Sequence, residues 1–313
     1  MPLIFKTNIF MANYLDPKND LTFKKVFGEH KHLCISLINS MLPLEKPIVS
    51  IEYQTCELVP ELTKLLRHTI VDVRCTDKAG RNFIVEMQMY WSESFKSRVL
   101  LNASKAYVMQ LDKAEDFELL QPVYALNFVN DKFEKSPEME NEYYHYYRIV
   151  NVKNTEKQIE GLEFLFIELP KFKPHNRAQK KLRELWLRFM TEINENTKEV
   201  PKVLLENKLT REAVGYMEKA AYTKEQLEAY DKWKIAAMTE RSALKDAKRE
   251  GLAEGRVEGR AEERAKGEVR LRERETEIAL NMLKNGVSIE IVSNSTGLSI
   301  QQIKEILKSL EDK

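Results

Sequence analysis

The sequence predicts an α/β fold: a mixed sheet flanked by helices, followed by a helical extension at the C-terminal end. Three observations support this prediction. Apolar runs of strand length recur between about residues 49 and 168 and alternate with helical patterns. From about residue 176 to 240 the apolar residues recur at helical spacing only. Beyond residue 241 charged residues dominate, and the spacing stays helical.

The first elements follow from apolar spacing and from capping residues. Residues 1–13 lack a basic segment followed by a long apolar core, so we expect a frayed leader there. A helix is predicted over residues 20–41, with Asp20 as its N-cap. The next elements along the chain are strands at about 49–59, 69–76 and 82–90 and a helix at about 93–113.

The later elements complete the sheet and cover it. Strands are predicted at about 123–129, 143–150 and 162–168. The tyrosine-rich run 143–147 is expected to pack on both sheet faces, because aromatic residues are good strand formers; base stacking is the alternative. Residues 176–240 predict a helical subdomain against the sheet. Its apolar stripe contains Leu182, Leu185, Trp186, Phe189 and Ile193.

Residues 241–277 predict a charged helical linker interrupted by glycines. Glycine costs about 1 kcal/mol against alanine inside a helix, so several at a four-residue spacing must serve a purpose. One interpretation is a homo-oligomer, in which a second helix approaches along the small residues and neutralises the charged rows. The other is a flexible, partly helical, solvated linker. The rows are Glu254, Glu258 and Glu262, and Arg256, Arg260 and Arg264.

Residues 278–313 have the outline of a helix-turn-helix unit. A glycine-containing turn separates two short helical patterns, and Ser299 with Gln302 forms a capping box that opens the second. The second helix offers few side chains for DNA: Gln301, Gln302, Lys304 and Lys308. We therefore favour a small helical docking module over a DNA reader.

Composition narrows the class of protein. The net charge of +1 gives no overall attraction to nucleic acid, so contacts with DNA would come from local patches. Three scattered cysteines without a CxxC pair indicate reduced thiols rather than a disulfide framework or a zinc site. No apolar run approaches the roughly 18 residues that span a bilayer. These features predict a cytoplasmic protein with no membrane partner.

Two carboxylates stand out, because each interrupts an apolar strand pattern. Asp72 and Glu86 lie where burial is expected, and charged residues are rarely buried unless they are paired or bind a metal. Residues 77–81 predict a hairpin with a three-residue loop, in which Gly80 supplies the left-handed conformation. Asp72 and Glu86 are equally distant from the centre of that loop, so this register places them opposite each other.

Like charges placed opposite across a sheet repel, so a cation is expected to offset them. Mg²⁺ suits this role, because it prefers oxygen ligands and is held by one or two carboxylates plus water and phosphate oxygens. The alternative is structural: Asp72 pairs with Arg74 or Arg81, and Glu86 lies exposed on a one-sided sheet.

The same residues resemble a nuclease family. Asp72 followed, after thirteen residues, by Glu86-Met87-Gln88 resembles the PD-(D/E)XK nuclease core, with Gln88 in place of the motif lysine. Three segments, 19–28, 83–88 and 121–124, are similar to the Rpn family of recombination-promoting nucleases, also described as transposases. The resemblance covers most of the chain from about residue 14.

The resemblance implies a restriction-endonuclease-like core over about 14–175 and a metal-dependent DNA endonuclease. Asp72, Glu86 and the Met87 backbone carbonyl would hold Mg²⁺, and Gln88 would position the attacking water. Glutamine supplies no charge, so the metal would carry more of the electrostatic stabilisation. The second class of function in view is a nuclease-fold protein that binds DNA or self-assembles without effective chemistry.

Residues on two predicted helices are further candidates for the rim of the site. The resemblance places Asp20 and Lys24 of the first helix beside the metal-binding strands. On the helix at 93–113, Arg98, Asn102 and Lys105 recur at helical spacing and would face phosphate. The alternative for these side chains is a solvated helix surface.

Overall fold

The strands in the described residues form a six-stranded mixed sheet and a separate two-stranded ribbon. The computed structural model describes residues 14–58, 69–110, 116–174 and 181–311; the predicted leader at 1–13 lies outside this range. The strands are β1 Ile51–Tyr53, β2 Glu57–Leu58, β3 Thr69–Ile70, β4 Val73–Asp77, β5 Asn82–Gln88, β6 Val123–Val129, β7 Tyr144–Asn151 and β8 Asn154–Glu168. The sheet order is β1-β4-β5-β6-β8-β7, with β2 and β3 forming the ribbon.

The central strands β5, β6 and β8 run parallel, and antiparallel strands flank them on both sides. The helices are α1 Asp20–Phe23, α2 Lys31–Met41, α3 Glu93–Val108, α4 Leu182–Glu192, α5 Lys202–Glu206, α6 Lys208–Gly215, α7 Lys224–Lys284, α8 Ile289–Thr296 and α9 Ile300–Glu311. The predicted α/β class, a mixed sheet flanked by helices with a helical C-terminal region, is therefore confirmed.

Each face of the sheet has its own apolar core. On one face, α1, α2 and α4 to α6 cover the strands around Phe27, Trp186 and Phe189, whose rings meet edge to face. On the other face, α3 packs through Phe95 and Val99. The stripe predicted on α4 is buried in the first core, with Leu182 at its edge. Burial on both faces explains why the central strand β6 is apolar except for Asn127.

The hairpin between β4 and β5 has the register predicted from its turn. Asp77 N–H donates to the Arg81 carbonyl at 3.1 Å, and the ladder continues through Thr76↔Asn82 to Val73↔Val85. Gly80 has φ +83°, a conformation that side chains with a Cβ rarely adopt. The turn sequence therefore fixes which residues of β4 and β5 face each other.

The beginning of the chain departs from the prediction in two ways. The helix predicted over 20–41 is divided into α1 and α2 by a π-helical turn at Lys24–Gly28. Asp20 is the first residue of α1, and Asn19 is its N-cap, because the Asn19 side chain accepts from Leu21 N–H at 2.9 Å. The prediction of Asp20 as the cap was wrong by one residue.

Two predicted strands are also divided. The strand expected at 49–59 forms β1 and β2, and the strand expected at 69–76 forms β3 and β4 with an irregular step at Val71 and Asp72. Because of this step, Val71 lies in the core beneath α3, whereas Val73 lies in the opposite core. Simple alternation along an unbroken strand would place both on one face.

The tyrosine-rich strand β7 packs as predicted, on both faces. Tyr144 donates its hydroxyl to the Met41 carbonyl at 2.8 Å, and Tyr147 meets Phe166 edge to face on the other side. These contacts are those expected of packing.

The C-terminal residues form a unit of their own, 240–313, distinct from 1–239. The glycine-containing segment expected as an interrupted linker is instead part of one continuous helix, α7, which begins at Lys224. Near the end of the chain α8 and α9 pack around Val292 and Ile303. The Ser299–Gln302 capping box is present, with Gln302 N–H donating to Ser299 Oγ at 3.3 Å and Ser299 N–H donating to Gln302 Oε1 at 2.9 Å.

The described residues contain neither a membrane-spanning helix nor a disulfide. None of their helices is long and apolar enough to cross a membrane. The cysteines are free thiols: Cys34 and Cys75 lie in the core, and Cys56 is half-buried.

Candidate functional site

Asp72 lies at the irregular step before β4. Val71 N–H donates to the Cys56 carbonyl at 3.0 Å instead of continuing the ladder with β5. The Asp72 side chain replaces the backbone of the neighbouring strand at that edge of β5, where its Oδ2 accepts from Met87 N–H at 2.7 Å. A break in the strand therefore turns the Asp72 carboxylate toward its neighbour β5.

The Met87 carbonyl lies on the same edge of β5 as Asp72. Asn130 N–H donates to the Gln88 carbonyl at 2.8 Å, which places the backbone groups of Gln88 on the β6 side. Backbone groups alternate along a strand, so the N–H and C=O of Met87 both point to the β4 side. Two oxygen-bearing groups, the Asp72 carboxylate and the Met87 carbonyl, thus share one edge.

Glu86 is buried on the face covered by α3. Only 6% of the residue is exposed, and its Oε1 accepts from Asn102 Nδ2 at 3.1 Å. The other amide atom of this buried asparagine, Oδ1, has no hydrogen-bond partner among the described residues. Asn102 therefore holds Glu86 from α3 rather than facing phosphate as the sequence suggested.

Gln88 is bound to α3 one helical turn away. Arg98 Nη2 donates to Gln88 Oε1 at 2.7 Å, and Gln88 Nε2 donates to the Tyr90 carbonyl at 2.9 Å. Arg98 lies over the Phe95 ring, 4.9 Å from its centroid. The motif glutamine therefore holds an exposed guanidinium beside the carboxylates.

The first helical segment brings Asp20 and Lys24 to the site, as the resemblance implies. Lys24 Nζ lies 2.6 Å from Asp20 Oδ1 and 3.7 Å from Asp72 Oδ1. Burial lowers the pKa of Lys24, but the Asp20 hydrogen bond and the charges of Asp20 and Asp72 raise it by more, so its pKa lies above the ordinary value. The ammonium group remains charged beside the carboxylates.

Both central carboxyls have raised pKa values, and burial is the main cause. Burial raises the pKa of Asp72 to about 7, the Met87 N–H opposes this, and the charges of Asp20 and Glu86 add to it. Burial also raises the pKa of Glu86, against the Asn102 hydrogen bond and the charge of Arg98. Such desolvated, mutually repelling carboxyls are typical of functional sites.

These residues fit a hard divalent cation. The donor set has two carboxylates, a backbone carbonyl and the unpartnered Asn102 Oδ1, and all of these are oxygens. Within the described ranges no three His, Cys, Asp or Glu side chains group as metal ligands. Mg²⁺ is usually held by one or two carboxylates plus water and phosphate oxygens.

The structural alternative for the two carboxylates is not observed. Arg81 pairs with Asp77, at 2.6 Å between Nη2 and Oδ2, rather than with Asp72. Glu86 is buried, so it does not lie on an exposed sheet surface. The half-buried Lys105, further along α3, has contacts of its own and is not among the groups that contact the carboxylates above.

Sequence reasoning missed the role of Asn102, although a signal was present. Strand residues two apart and helix residues four apart recur at nearly the same distance, about 6–7 Å. Glu86 and Gln88 on β5 could therefore be matched with Asn102 and Arg98 on α3 before the structure was known.

Two family models match the chain. The fold and the carboxylate pair define a protein of the PD-(D/E)XK nuclease type. The model described as PD-(D/E)XK nuclease family transposase matches residues 17–247, well over half of the chain, and the chain belongs to this family. The C-terminal HTH domain of the Rpn/YhgA-like nuclease family matches residues 272–308. Both matches confirm the resemblance and the predicted helix-turn-helix outline.

No match was found among curated proteins or among solved structures. Nucleases of the PD-(D/E)XK type generally use divalent metal ions. The oxygen-rich donor set described above is consistent with that requirement.

Proposed function

We propose that the protein is a Mg²⁺-dependent DNA endonuclease that hydrolyses phosphodiester bonds. The single observation behind this proposal is the pair of desolvated carboxylates, Asp72 and Glu86, in a protein of a nuclease family. Asp72 shares Lys24, whose Nζ lies 3.7 Å from its Oδ1, with the closer Asp20, and Glu86 accepts a hydrogen bond from the neutral amide of Asn102. Such a pair is costly to bury unless a cation offsets it.

The roles of the residues follow from their contacts. Asp72, Glu86 and the Met87 carbonyl would hold the ion; when bound, a divalent cation lowers the pKa of a water ligand and neutralises phosphate charge. Met87 N–H orients Asp72, and Asn102 orients Glu86. Gln88, at the motif position two residues after Glu86, completes the proposed catalytic residues.

DNA is the proposed partner, and the biological process is recombination or transposition. The family description names transposases, and a C-terminal HTH domain supports contact with DNA. The exposed side chains Gln301, Lys304 and Lys308 on α9 would supply the polar contacts. They are few, so we expect phosphate contacts there rather than base readout.

Cleavage of a supercoiled plasmid tests the nuclease proposal. The protein is incubated with Mg²⁺ and with EDTA, beside Asp72→Ala and Glu86→Ala variants and an exposed control, Glu118→Gln. We expect cutting by the wild type and the control in Mg²⁺ only. Equal cutting by the wild type and both alanine variants would place the activity elsewhere. No cutting by any of them would favour the second candidate.

The second candidate is a catalytically weak protein that assembles through α7. The charged rows of Glu254, Glu258 and Glu262 and of Arg256, Arg260 and Arg264 lie exposed along this helix. Within a single helix each row repels itself, and a second copy would neutralise both. Sedimentation of a protein truncated at residue 240 tests this assembly. An oligomeric state equal to that of the full chain would remove the idea.

A further inference from the structure

We propose that Arg98 is the cationic group that contacts the scissile phosphate and that Gln88 is its positioning residue. This inference rests on the proposed nuclease function. It assigns the positive charge that a lysine at position 88 would have supplied to a guanidinium on α3.

The hydrogen bonds of Gln88 fix the direction of its amide. The Tyr90 carbonyl can only accept, so the NH₂ group of Gln88 must face it, at 2.9 Å. The amide oxygen is then turned to α3, where Arg98 Nη2 donates to it at 2.7 Å. With both ends of the amide engaged, Gln88 acts through Arg98 rather than directly on a water.

The matched spacing of side chains on β5 and α3 positions Gln88 against Arg98. Glu86 and Gln88 lie on one face of β5, two residues apart, and they contact Asn102 and Arg98, four residues apart on one face of α3. Strand and helix advance by similar distances over these steps, about 6–7 Å. The Glu86–Asn102 and Gln88–Arg98 contacts are therefore neighbouring contacts of one interface between β5 and α3. The first orients a proposed metal ligand, and the second holds the guanidinium.

The guanidinium is available to an anion. Arg98 is exposed, and in the part of the chain that the structure describes no carboxylate lies within 4.0 Å of it to form an ion pair. Its other neighbour is the Phe95 ring, which restrains the side chain without neutralising it. A guanidinium binds phosphate oxygens in a planar, bidentate geometry.

This arrangement also explains glutamine at position 88. A lysine there would place a second positive charge against Arg98. An alanine would remove the hydrogen bond that holds the Arg98 side chain. Glutamine supplies an acceptor for Arg98 without adding charge. The pair Gln88–Arg98 therefore works as one unit, and its two members should not contribute independently.

Cleavage kinetics of four variants test this coupling. Arg98→Ala and Gln88→Ala are each expected to lower kcat on the order of 10²-fold, as loss of one stabilising donor does. The double alanine variant should be no worse than Arg98→Ala. Gln88→Lys combined with Arg98→Ala should recover at least tenfold over Arg98→Ala. Wild-type rates for Arg98→Ala, or losses that multiply in the double variant, would overturn the assignment.

DNA binding in EDTA gives a readout that needs no cleavage. A phosphate contact by Arg98 contributes about 0.9 to the slope of log affinity against log salt concentration, so Arg98→Ala should lower the slope by that amount. Gln88→Ala should lower it in the same direction. Arg211→Ala, an exposed arginine on α6, is the control and should leave the slope unchanged. An unchanged slope for Arg98→Ala overturns the inference.

The two proposals fail differently. If Asp72→Ala cuts as well as the wild type, the nuclease proposal fails at this site, and the binding slope still decides whether Arg98 contacts phosphate. If Asp72→Ala is inactive and Arg98→Ala is fully active, the inference about Arg98 fails alone. Added guanidinium ion should restore part of the activity of Arg98→Ala and none of that of Asp72→Ala; no restoration of Arg98→Ala counts against the inference.

Discussion

Replacing Asp72 with asparagine is expected to stabilise the metal-free protein while it removes the proposed activity. The carboxyl of Asp72 is buried, and its pKa is raised from the ordinary 3.8 to about 7. The folded state therefore holds a proton that the unfolded state has released between these two pH values. The contribution of Asp72 to stability thus falls as the pH rises through this window and is least favourable above pH 7.

The magnitude follows from the pKa difference. At 1.36 kcal/mol per pH unit, ionised Asp72 costs the folded state about 4 kcal/mol above pH 7. Asparagine removes this cost but accepts more weakly from Met87 N–H, which returns about 1 kcal/mol. Loss of the ion pair with the half-exposed Lys24, at 3.7 Å, costs little. The net gain at pH 7.5 is about 2–3 kcal/mol.

Urea unfolding in EDTA at pH 5.5, 6.5 and 7.5 measures this gain. The difference between Asp72→Asn and wild type should widen by about 2 kcal/mol from pH 5.5 to 7.5. Glu118→Gln, at an exposed position, should stay within about 0.5 kcal/mol of wild type at every pH. If Asp72→Asn is no more stable than wild type at pH 7.5, or if the stability difference shrinks as the pH rises, Asp72 is not a desolvated carboxylate repelled by Glu86.

Three other changes test the fold. Gly80→Ala should cost about 1–3 kcal/mol in urea unfolding, because φ is +83° there; a cost below 0.5 kcal/mol would contradict the turn assignment. Glu168→Gln should cost about 3–5 kcal/mol, since it leaves a buried lysine 2.5 Å away without its carboxylate; a near-neutral effect would contradict that ion pair. Gly255→Ala should raise the helicity and thermal stability of α7, by up to about 1 kcal/mol, because an added Cβ meets nothing within 4 Å; lower stability would indicate that another chain packs there.

Local signals allowed much of the sheet to be predicted from the sequence. β6 has the predicted bounds, because a buried parallel strand is a continuous apolar run with turns at both ends. The β4–β5 register was predictable since one glycine and a three-residue loop determine it. The ladder ends at Val73↔Val85, so Asp72 is not paired directly opposite Glu86 as the register predicted; the irregular step turns its side chain to Met87 N–H instead.

Features that depend on tertiary contacts were not predictable in the same way. The π-helical turn at Lys24–Gly28 gives no apolar period different from that of a helix, so α1 and α2 read as one element. The continuity of α7 was missed for the opposite reason: local propensity argues against a helix with four glycines, and propensity is a weak guide in a long helix. Asn102 was predicted to face phosphate because it shares a helical spacing with Arg98; its contact with Glu86 depends on how α3 docks on β5.

The two halves of the site therefore depend on the fold to different degrees. Asp72 and Glu86 are brought together by a hairpin whose loop is three residues long, so their repulsion exists as soon as β4 and β5 pair. The groups that orient or balance them, Asn102, Arg98 and Lys24, arrive on helices whose docking requires both apolar cores. Burial by those helices is also what raises the carboxyl pKa values. The contacts that complete the site thus impose its electrostatic cost, and a bound cation is the group that would relieve it.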